Sequence, residues 1–399
     1  MELSISLSSL RLSATIPRQI KPSSHDNRVI PIKPTTKKIK SSNFSSNCSN
    51  NKSILPLGLY GESRFSKSLL YGPDRRNTIR ACAQAESADN YDSTVLTKVS
   101  RFGSACYKFV RPTSMHLTII STTCLFARVL VENPQLFKWS LLFKAFPGLI
   151  AMLLSNAYYN GINQIYDVDI DRINKPYLPI PAGDISLEQA WYLVIFDVVT
   201  GLLILRMMNA NIITTSIYCL GLLLGTFYSV PPFRFKQSSL ATSIVNPLMA
   251  GILHNVGILY ATRASLGLPF QWSPPIIFIT TFMTLFYLVV TNIKDLPDVE
   301  GDIKHNIRTF PAIYGPRKIT FLGTGILLVN YIGSMVVAIC MPQAFKPYIM
   351  VPVHATLSLW LLYETRKLDK ANYTKEKSAN FFQLFWKLLA VEFLFYPFI

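Results

Sequence analysis

Charged side chains are scarce in this sequence. Of its 399 residues only 15% are charged, whereas 50% are hydrophobic and 12% are aromatic. An average soluble globular domain carries about 25% charged residues. The low charge excludes an ordinary soluble enzyme and, together with the long apolar runs described below, predicts an integral membrane protein.

Cysteine and histidine are also sparse. The six cysteines are Cys48, Cys82, Cys106, Cys124, Cys219 and Cys340. None of them has the paired spacing of a disulfide framework or a cysteine metal site, so we expect ordinary packing thiols. His116, His254 and His354 fall in apolar runs. There we expect hydrogen-bonded polar residues rather than metal ligands.

Acidic residues are nearly absent from the first 80 residues, which hold four acids against 14 lysines and arginines and 16 serines. A start of this composition resembles an organelle transit peptide. We assign residues 1–83 to a disordered plastid transit peptide, with IRACA (79–83) as its processing site, and residues 84–112 to a stromal lead-in. A disordered cytosolic tail is the alternative interpretation.

The same segment carries most of the formal net charge of +17. The rest of the chain has no dense stripe of lysine and arginine that alternates with aromatic residues. Since such a stripe is the usual mark of a nucleic-acid interface, we expect no nucleic-acid partner.

Nine apolar segments of this sequence are long enough to cross a lipid bilayer. They are residues 113–132, 145–165, 187–206, 211–229, 240–262, 275–293, 319–341, 347–364 and 381–398. The pattern predicts an all-α, polytopic membrane protein. Residues 113–399 would form a bundle of about nine transmembrane helices around a central cavity.

Lysine and arginine are concentrated on one side of the predicted bundle. When the segments between nine spans are sorted into two faces, one face holds 18 of these residues and the other holds six. The positive-inside rule expects this asymmetry. We therefore predict a multi-pass protein of a plastid membrane, with the basic face towards the stroma.

Three aspartates follow the second predicted span in the stretch NQIYDVDID, residues 163–171. If the helix continues through this stretch, Asn163, Asp167 and Asp171 share one face, because they recur every four residues. Asp169 then points the other way. The pattern predicts one polar stripe at the end of a transmembrane helix.

A second acidic stretch, KDLPDVEGD (294–302), follows the sixth span. Asp295, Asp298 and Asp302 are spaced by three and then four residues, which again places them on one helical face. Pro297 lacks an amide donor, so we expect the helix to end or kink inside this stretch.

Both acidic stretches lie on the basic face of the predicted bundle. Their five carboxylates and one amide would repel each other at a shared cavity mouth, unless cations lie between them or some carboxylates take up protons. A set of oxygen ligands is typical of Mg²⁺, which substrate phosphates often complete. Solvated helix caps are the alternative interpretation of either stretch alone.

Polar and aromatic residues within the spans are candidates for the cavity wall. Asn156 and Asn160 continue the first polar stripe into the membrane, where polar side chains face the bundle interior. Tyr159 and Tyr287 are the aromatic candidates. Lys387 and Glu392 lie inside the ninth span, which predicts a structural or acceptor-binding role for them.

The two acidic stretches resemble the NQxxDxxxD and KDxxDxxGD signatures of the UbiA superfamily of membrane prenyltransferases. The flanking sequences NKPYLPIPAGDIS (174–186), YSVPPFRFK (228–236) and ATRASLGLPF (261–270) are similar to those of plant plastid aromatic prenyltransferases. The similarity covers about residues 100–399. It implies a fold of membrane helices around the two motifs.

This resemblance implies a Mg²⁺-dependent transfer of a prenyl group, dimethylallyl or geranyl, from its diphosphate to an aromatic carbon. The expected acceptor is a plant phenolic: a flavonoid, a coumarin or a stilbene. The reaction is an electrophilic aromatic substitution at the lipid bilayer. The alternative within the family is a homogentisate phytyl, geranylgeranyl or solanesyl transferase. A transporter of anionic metabolites and a non-catalytic isoprenoid-binding scaffold are alternatives of other classes.

The resemblance also implies roles for individual residues. The expected metal ligands are Asn163, Asp167, Asp171, Asp295, Asp298 and Asp302, and the five aspartates among them are the expected catalytic residues. The expected diphosphate-binding residues are Lys236, Arg234, Lys294, Arg172 and Tyr228.

Overall fold

The computed structural model describes residues 97–304 and 307–399. Within these two ranges the regular structure is entirely helical, with no β-strand. The prediction of an all-α fold is therefore confirmed. The predicted transit peptide, residues 1–83, and the first part of the predicted lead-in lie outside the described residues.

The helices are numbered in chain order. Helix α1 covers residues 97–109. It is followed by α2 (Pro112–Glu132), α3 (Trp139–Tyr166), α4 (Val168–Asn174), α5 (Leu187–Met207), α6 (Ile212–Ser229), α7 (Ser239–Asn246), α8 (His254–Ser265), α9 (Pro274–Ile293), α10 (Val299–Lys304), α11 (Phe310–Tyr314), α12 (Pro316–Cys340), α13 (Pro347–Lys370) and α14 (Lys375–Phe395).

Eight helical segments in the described part of the chain are long and apolar enough to cross a membrane. They coincide with eight of the nine predicted spans. The remaining prediction, residues 347–364, forms α13, which packs against α12 and α14. It is less apolar than the other eight because polar residues such as His354, Ser358 and Glu364 interrupt it.

Proline begins four of the long helices: Pro112 in α2, Pro274 in α9, Pro316 in α12 and Pro347 in α13. The first residue of a helix needs no amide hydrogen, and the fixed φ of proline suits a helix. Helix α5 begins with a capping box instead. The Ser186 hydroxyl accepts from the Gln189 backbone N–H at 3.1 Å, and the Gln189 side chain accepts from the Ser186 N–H at 2.9 Å.

The fifth span is not one regular α-helix. A π-helical segment, Pro247–Leu253, separates α7 from α8. Within it Gly251 lies against α9, where an added Cβ would be 2.5 Å from Thr284 Cα. Only glycine permits so close an approach of the two backbones. A π-helical turn shifts the side chains that follow it around the helix axis and is frequent at functional sites.

The largest apolar core is centred on α9. Phe282 and Phe286 of α9 are fully buried, and their rings contact Tyr331 of α12 and Phe385 of α14. Close packing of this kind is the main source of helix association in a bilayer. This packing fixes the position of α9, whose end at Ile293 precedes the second acidic stretch.

A buried polar pair lies in the same core. His354 Nε2 of α13 is 3.4 Å from Glu392 Oε2 of α14, and the His354 Nδ1 lies 2.7 Å from the Met350 carbonyl oxygen. Of the two roles predicted for Glu392, this contact supports the structural one. Lys387, in contrast, is exposed on the surface of α14.

Candidate active site

The first acidic stretch is built at a break between two helices. Helix α3 ends at Tyr166, Asp167 follows with φ −111° and ψ 8°, and α4 begins at Val168. The helix is therefore interrupted at Asp167 and does not continue unbroken through residue 171. The amide of Asp171 still donates to the Asp167 carbonyl at 2.7 Å, so one helical turn connects the two residues.

Two basic residues neutralise Asp167. Lys236 Nζ lies 2.7 Å from Asp167 Oδ2, and an Arg234 guanidinium nitrogen lies 3.3 Å from Asp167 Oδ1. Arg234 also donates to the Tyr166 carbonyl at 3.0 Å. All three charged side chains are largely buried. Attraction between them is screened less than it would be at an exposed surface.

Asp171 lies beside this group and is itself buried, with 4% of its surface exposed. Its Oδ1 is 3.9 Å from Lys175, while no group in the described residues hydrogen-bonds its buried Oδ2. Burial raises the pKa of Asp171; the positive charge of Lys175 opposes this and the negative charge of Asp167 adds to it. Burial lowers the pKa of Lys236, against the influence of Asp167.

The second acidic stretch follows α9. The helix ends at Ile293 and a 3₁₀ turn, Leu296–Asp298, precedes α10, as the position of Pro297 predicted. Asp302 is buried and accepts a hydrogen bond from the Thr309 hydroxyl at 2.8 Å. Asp295, Asp298 and Asp302 are near enough to interact electrostatically.

Tyr228 at the end of α6 connects the two regions. Its hydroxyl lies 3.5 Å from Lys294 Nζ, and Lys294 is 3.7 Å from Asp295. On its other side the Tyr228 ring packs against Tyr159 of α3, with centroids 5.6 Å apart. The next residue, Ser229, accepts a hydrogen bond from Asn163 at 3.4 Å. The end of α6 therefore contacts both motif-bearing helices.

The oxygen atoms of these stretches are suitable ligands for Mg²⁺. Asp171 Oδ2 is buried and has no hydrogen-bond partner within the described ranges. A carboxylate oxygen in this situation is free to bind a cation. Over the same residues, no group of three or more acidic, histidine or cysteine side chains is gathered closely enough to hold a metal ion by itself.

A cavity of about 1070 Å³ lies between α2, α3, α6, α8 and α9, and it reaches the second acidic stretch at Lys294. Its wall includes Asn156, Tyr159, Tyr287 and Lys294. Three of the four predicted cavity residues are therefore in the wall. The fourth, Asn160, is buried outside it and donates to the Val110 carbonyl at 3.3 Å, because its side chain fills the contact between α3 and the segment before α2.

Comparison with known proteins identifies the architecture. The UbiA prenyltransferase family matches residues 120–389, which is more than half of the chain. The chain belongs to the UbiA prenyltransferase family. It is therefore an enzyme that transfers prenyl groups, and the predicted resemblance is confirmed.

The UbiA relatives have names that refer to different aromatic acceptors. The "probable homogentisate phytyltransferase 2, chloroplastic" of Oryza sativa subsp. japonica is 47% identical over 325 residues, 82% of this chain and 85% of the relative. The "2-acyl-4-prenylphloroglucinol 6-prenyltransferase, chloroplastic" of Humulus lupulus is 44% identical over 344 residues, 86% of this chain and 84% of the relative.

A solved UbiA structure shares the fold. A UbiA homolog from Archaeoglobus fulgidus, bound to GPP and Mg²⁺, aligns with a TM-score of 0.53 at 19% identity and covers 74% of this chain and 98% of its own. This likeness supports the helical architecture of residues that the two chains share.

One predicted diphosphate-binding residue of this UbiA enzyme lies apart from the others. Arg172 is exposed and pairs with Asp169 at 3.1 Å on the outer face of α4. Asp169 was predicted to point away, and the structure places it there. Because Arg172 follows Asp171 directly, its side chain leaves the helix about 100° further round and cannot share the face of that residue.

Two UbiA residues near the site were not predicted. Arg111, just before α2, lies near enough to Asp171 for its positive charge to act on that carboxyl group. Gln164 is fully buried and donates to the Phe109 carbonyl at 2.7 Å, which ties α1 to α3. The glutamine is the second residue of the NQ pair in the first motif, whereas Arg111 has no signal beyond its position before Pro112.

Proposed function

We propose that this UbiA enzyme transfers a dimethylallyl or geranyl group from its diphosphate to an aromatic carbon of a plant phenolic. The observation that carries the proposal is the large cavity with Lys294 in its wall, where this lysine lies 3.7 Å from Asp295 and 3.5 Å from the Tyr228 hydroxyl. A basic side chain with a carboxylate beside it thus lies in the wall of a pocket that is otherwise mostly apolar. A prenyl diphosphate has the same division between an anionic head and an apolar tail.

Lys236, Arg234, Lys294 and Tyr228 are the proposed ligands of the diphosphate. The three cations already lie within 4 Å of carboxylate oxygens, and the Tyr228 hydroxyl is near Lys294. When the C–O bond of the donor breaks, negative charge grows on the departing diphosphate. Fixed positive charges and a hydroxyl donor at that position stabilise this charge without reorganisation.

Asn163, Asp167, Asp171, Asp295, Asp298 and Asp302 are the proposed residues that hold Mg²⁺. When bound, Mg²⁺ supplies Lewis-acid stabilisation of the leaving diphosphate. The solved homolog from Archaeoglobus fulgidus was bound to GPP and Mg²⁺, which supports the same cofactor here. The buried, unpartnered oxygen of Asp171 supports a cation at the first stretch.

The cavity provides the environment for the allylic cation. The rings of Tyr159 and Tyr287 are in its wall, and aromatic faces attract positive charge. The pocket also keeps water from a cation that water would quench. A phenolic acceptor attacks through a ring carbon that its hydroxyl group makes nucleophilic, and the ring then loses a proton.

A homogentisate prenyltransferase is the second candidate function, because the 47% identical relative carries that name. The 44% identical relative, named for a phloroglucinol, supports the first candidate. A transporter of anionic metabolites has no support, because the family is one of transferases. The chloroplastic relatives support a plastid membrane, and the excess of basic residues at the acidic stretches supports a stromal active site.

The decisive assay uses membranes that carry the full chain. They are incubated with dimethylallyl, geranyl or phytyl diphosphate, with a flavonoid, an acylphloroglucinol or homogentisate, and with Mg²⁺ or EDTA. We expect a prenylated flavonoid or acylphloroglucinol only when Mg²⁺ is present. Product from homogentisate alone contradicts the proposed acceptor, and no product from any pair contradicts prenyl transfer to aromatic carbon.

A further inference from the structure

One wall of the cavity carries a continuous line of hydrogen-bonded polar side chains. The Ser114 hydroxyl donates to Asn156 Oδ1 at 2.9 Å, and Asn156 Nδ2 donates to the Thr118 hydroxyl at 2.6 Å. All three residues line the cavity. They lie on the facing sides of α2 and α3, so the polar line runs along the groove between these two helices.

The line ends deeper in the bundle at Ser121 and His254. Ser121 Oγ lies 2.8 Å from His254 Nε2, and Ser121 Oγ also contacts the Thr118 carbonyl at 3.2 Å. Both residues are in the cavity wall. Ser121 lies nine residues beyond the start of α2, so the pair is about 13 Å from the end of the helix that adjoins the acidic residues.

The backbone before His254 has an unusual geometry. His254 is the first residue after the π-helical segment Pro247–Leu253. The wider π turn rotates the following side chains relative to a regular α-helix. The resulting orientation brings an imidazole from α8 to a serine of α2 across 133 residues of sequence.

The hydrogen bonds of the pair leave a polar atom for a ligand. A serine hydroxyl has one hydrogen. When Ser121 gives it to the Thr118 carbonyl, the hydrogen between Ser121 and His254 belongs to Nε2, and Nδ1 of the neutral imidazole is an acceptor. A phenolic O–H is a donor that fits this acceptor.

A prenyl chain has no group that can bond to these atoms. Polar groups that face hydrocarbon without a partner are strongly unfavourable. The same fold places other polar pairs between packed helices, away from the cavity, such as the hydroxyls of Thr324 and Thr365 at 2.9 Å. The Ser121–His254 pair differs from them because it faces a space large enough for substrates.

We infer that His254, positioned by Ser121, binds a hydroxyl group of the phenolic acceptor and selects acceptors by the position of that group on the ring. The inference rests on the proposed function, since it requires a phenolic substrate in the cavity. The acceptor then lies along the polar wall of α2 and α3, and the prenyl chain occupies the apolar remainder. Ser121 and His254 are specificity residues and take no part in breaking the C–O bond.

The test compares acceptors that differ by one hydroxyl group. Wild type, Ser121→Ala, His254→Leu and His254→Gln are assayed with an acylphloroglucinol and with homogentisate, each beside its mono-O-methyl ethers. For one ether we expect the wild-type kcat/KM to fall about tenfold, the effect of one lost hydrogen bond. His254→Leu and Ser121→Ala should each lower kcat/KM for the free phenol by a similar factor. The loss should come from a higher KM for the acceptor, while the KM for the donor stays unchanged.

Further comparisons separate binding from structure. The ether should react no more slowly in His254→Leu than in wild type, and His254→Gln should recover part of the acceptor affinity. Ser334→Ala is the matched control, because Ser334 is an equally buried serine that donates within its own helix, to Asn330, and it does not line the cavity. It should leave acceptor KM unchanged.

Acceptor binding is also measured by calorimetry on purified enzyme. Unchanged acceptor KM and affinity in both Ser121→Ala and His254→Leu would overturn the inference, as would equal losses for phenol and ether. If acceptors bind through His254 but no pair is converted to product, only the proposed function is contradicted. If no acceptor binds and none reacts, both are contradicted.

Discussion

The ammonium group of Lys236 lies 2.7 Å from a carboxylate oxygen of Asp167, although the two residues are separated by three helices in the chain order. The pair joins the loop after α6 to the end of α3. Each residue is predicted to bind a different part of the same ligand complex: the lysine binds phosphate oxygen and the aspartate binds the cation. At 2.7 Å the two opposite charges also neutralise each other.

Replacing Lys236 by alanine should slow prenyl transfer strongly. We expect Lys236→Ala to lower kcat/KM for the donor about 100-fold or more, the usual effect of losing one stabilising group at a developing negative charge. The measurement is product formation over a range of donor concentrations. Lys367→Ala is the control. This exposed lysine also pairs with a carboxylate, that of Glu364 at 3.2 Å, but it lies on α13, which carries neither acidic stretch. Equal activity of both variants would contradict the role of Lys236.

Removing Mg²⁺ or its proposed ligands should abolish turnover without removing the protein from the membrane. Asp171→Asn and Asp298→Asn should each show loss of product and weaker activation by added Mg²⁺, because an amide is a poorer ligand for a hard cation than a carboxylate. Asp169→Asn provides the comparison, since Asp169 is 93% exposed on the outer face of α4. Full activity of Asp298→Asn, with an unchanged requirement for Mg²⁺, would remove that residue from the metal site.

The length of the prenyl donor that the enzyme accepts should depend on the size of residue 221, which is Gly221. This residue of α6 lines the cavity, and an added Cβ would meet no atom within 4 Å. Gly221 lies seven residues before Tyr228, which places it about 10 Å from the proposed diphosphate ligands. We expect Gly221→Leu to spare dimethylallyl transfer and to reduce transfer of geranyl and longer groups, whose chains extend further into the cavity.

The control for Gly221 is Gly333 of α12, which also has open space around an added Cβ but does not line the cavity. Gly333→Leu should leave the ratio of rates with short and long donors unchanged. The ratio is measured by competition between dimethylallyl and geranyl diphosphates. If Gly221→Leu slows both donors by the same factor, the prenyl chain does not pass this residue.

The buried contact between His354 and Glu392 should matter for stability and not for chemistry. Glu392→Ala leaves His354 without its partner inside the core, and breaking a buried pair is unfavourable by about 3–5 kcal/mol. We expect a lower thermal unfolding midpoint in detergent, with normal donor and acceptor KM for the folded fraction. Lys387→Ala, on the exposed side of the same helix, should leave the midpoint unchanged.

Local sequence patterns predicted much of this site, because short-range geometry determines it. Asp169 faces outwards because residues two apart on a helix lie on opposite sides. The second stretch leaves α9 near Pro297 because proline cannot donate to a continuing helix. The apolar runs predicted the long helices for the same reason: their length and composition are local properties.

Tertiary contacts could not be read from the pattern. The break at Asp167 is stabilised by Lys236 and Arg234, which lie about 70 residues later in the chain. The sequence of the first motif gives no indication of these two partners. Asn160 was assigned to the cavity by its periodicity, but the carbonyl of Val110 draws its amide away from it. The proximity of Arg111 to Asp171 likewise depends on how α2 packs beside α3.

The hydrogen bond from Gln164 to the Phe109 carbonyl makes α1 part of the working enzyme. The Phe109 ring also packs on Gly161, where a Cβ would lie 3.0 Å from it. Removal of residues 97–109, by proteolysis or by truncation of the expressed chain, would leave the Gln164 amide without the Phe109 carbonyl. It would also expose the surface of α3 at Gly161, next to the first motif. Shortened versions of the chain should therefore begin upstream of residue 97.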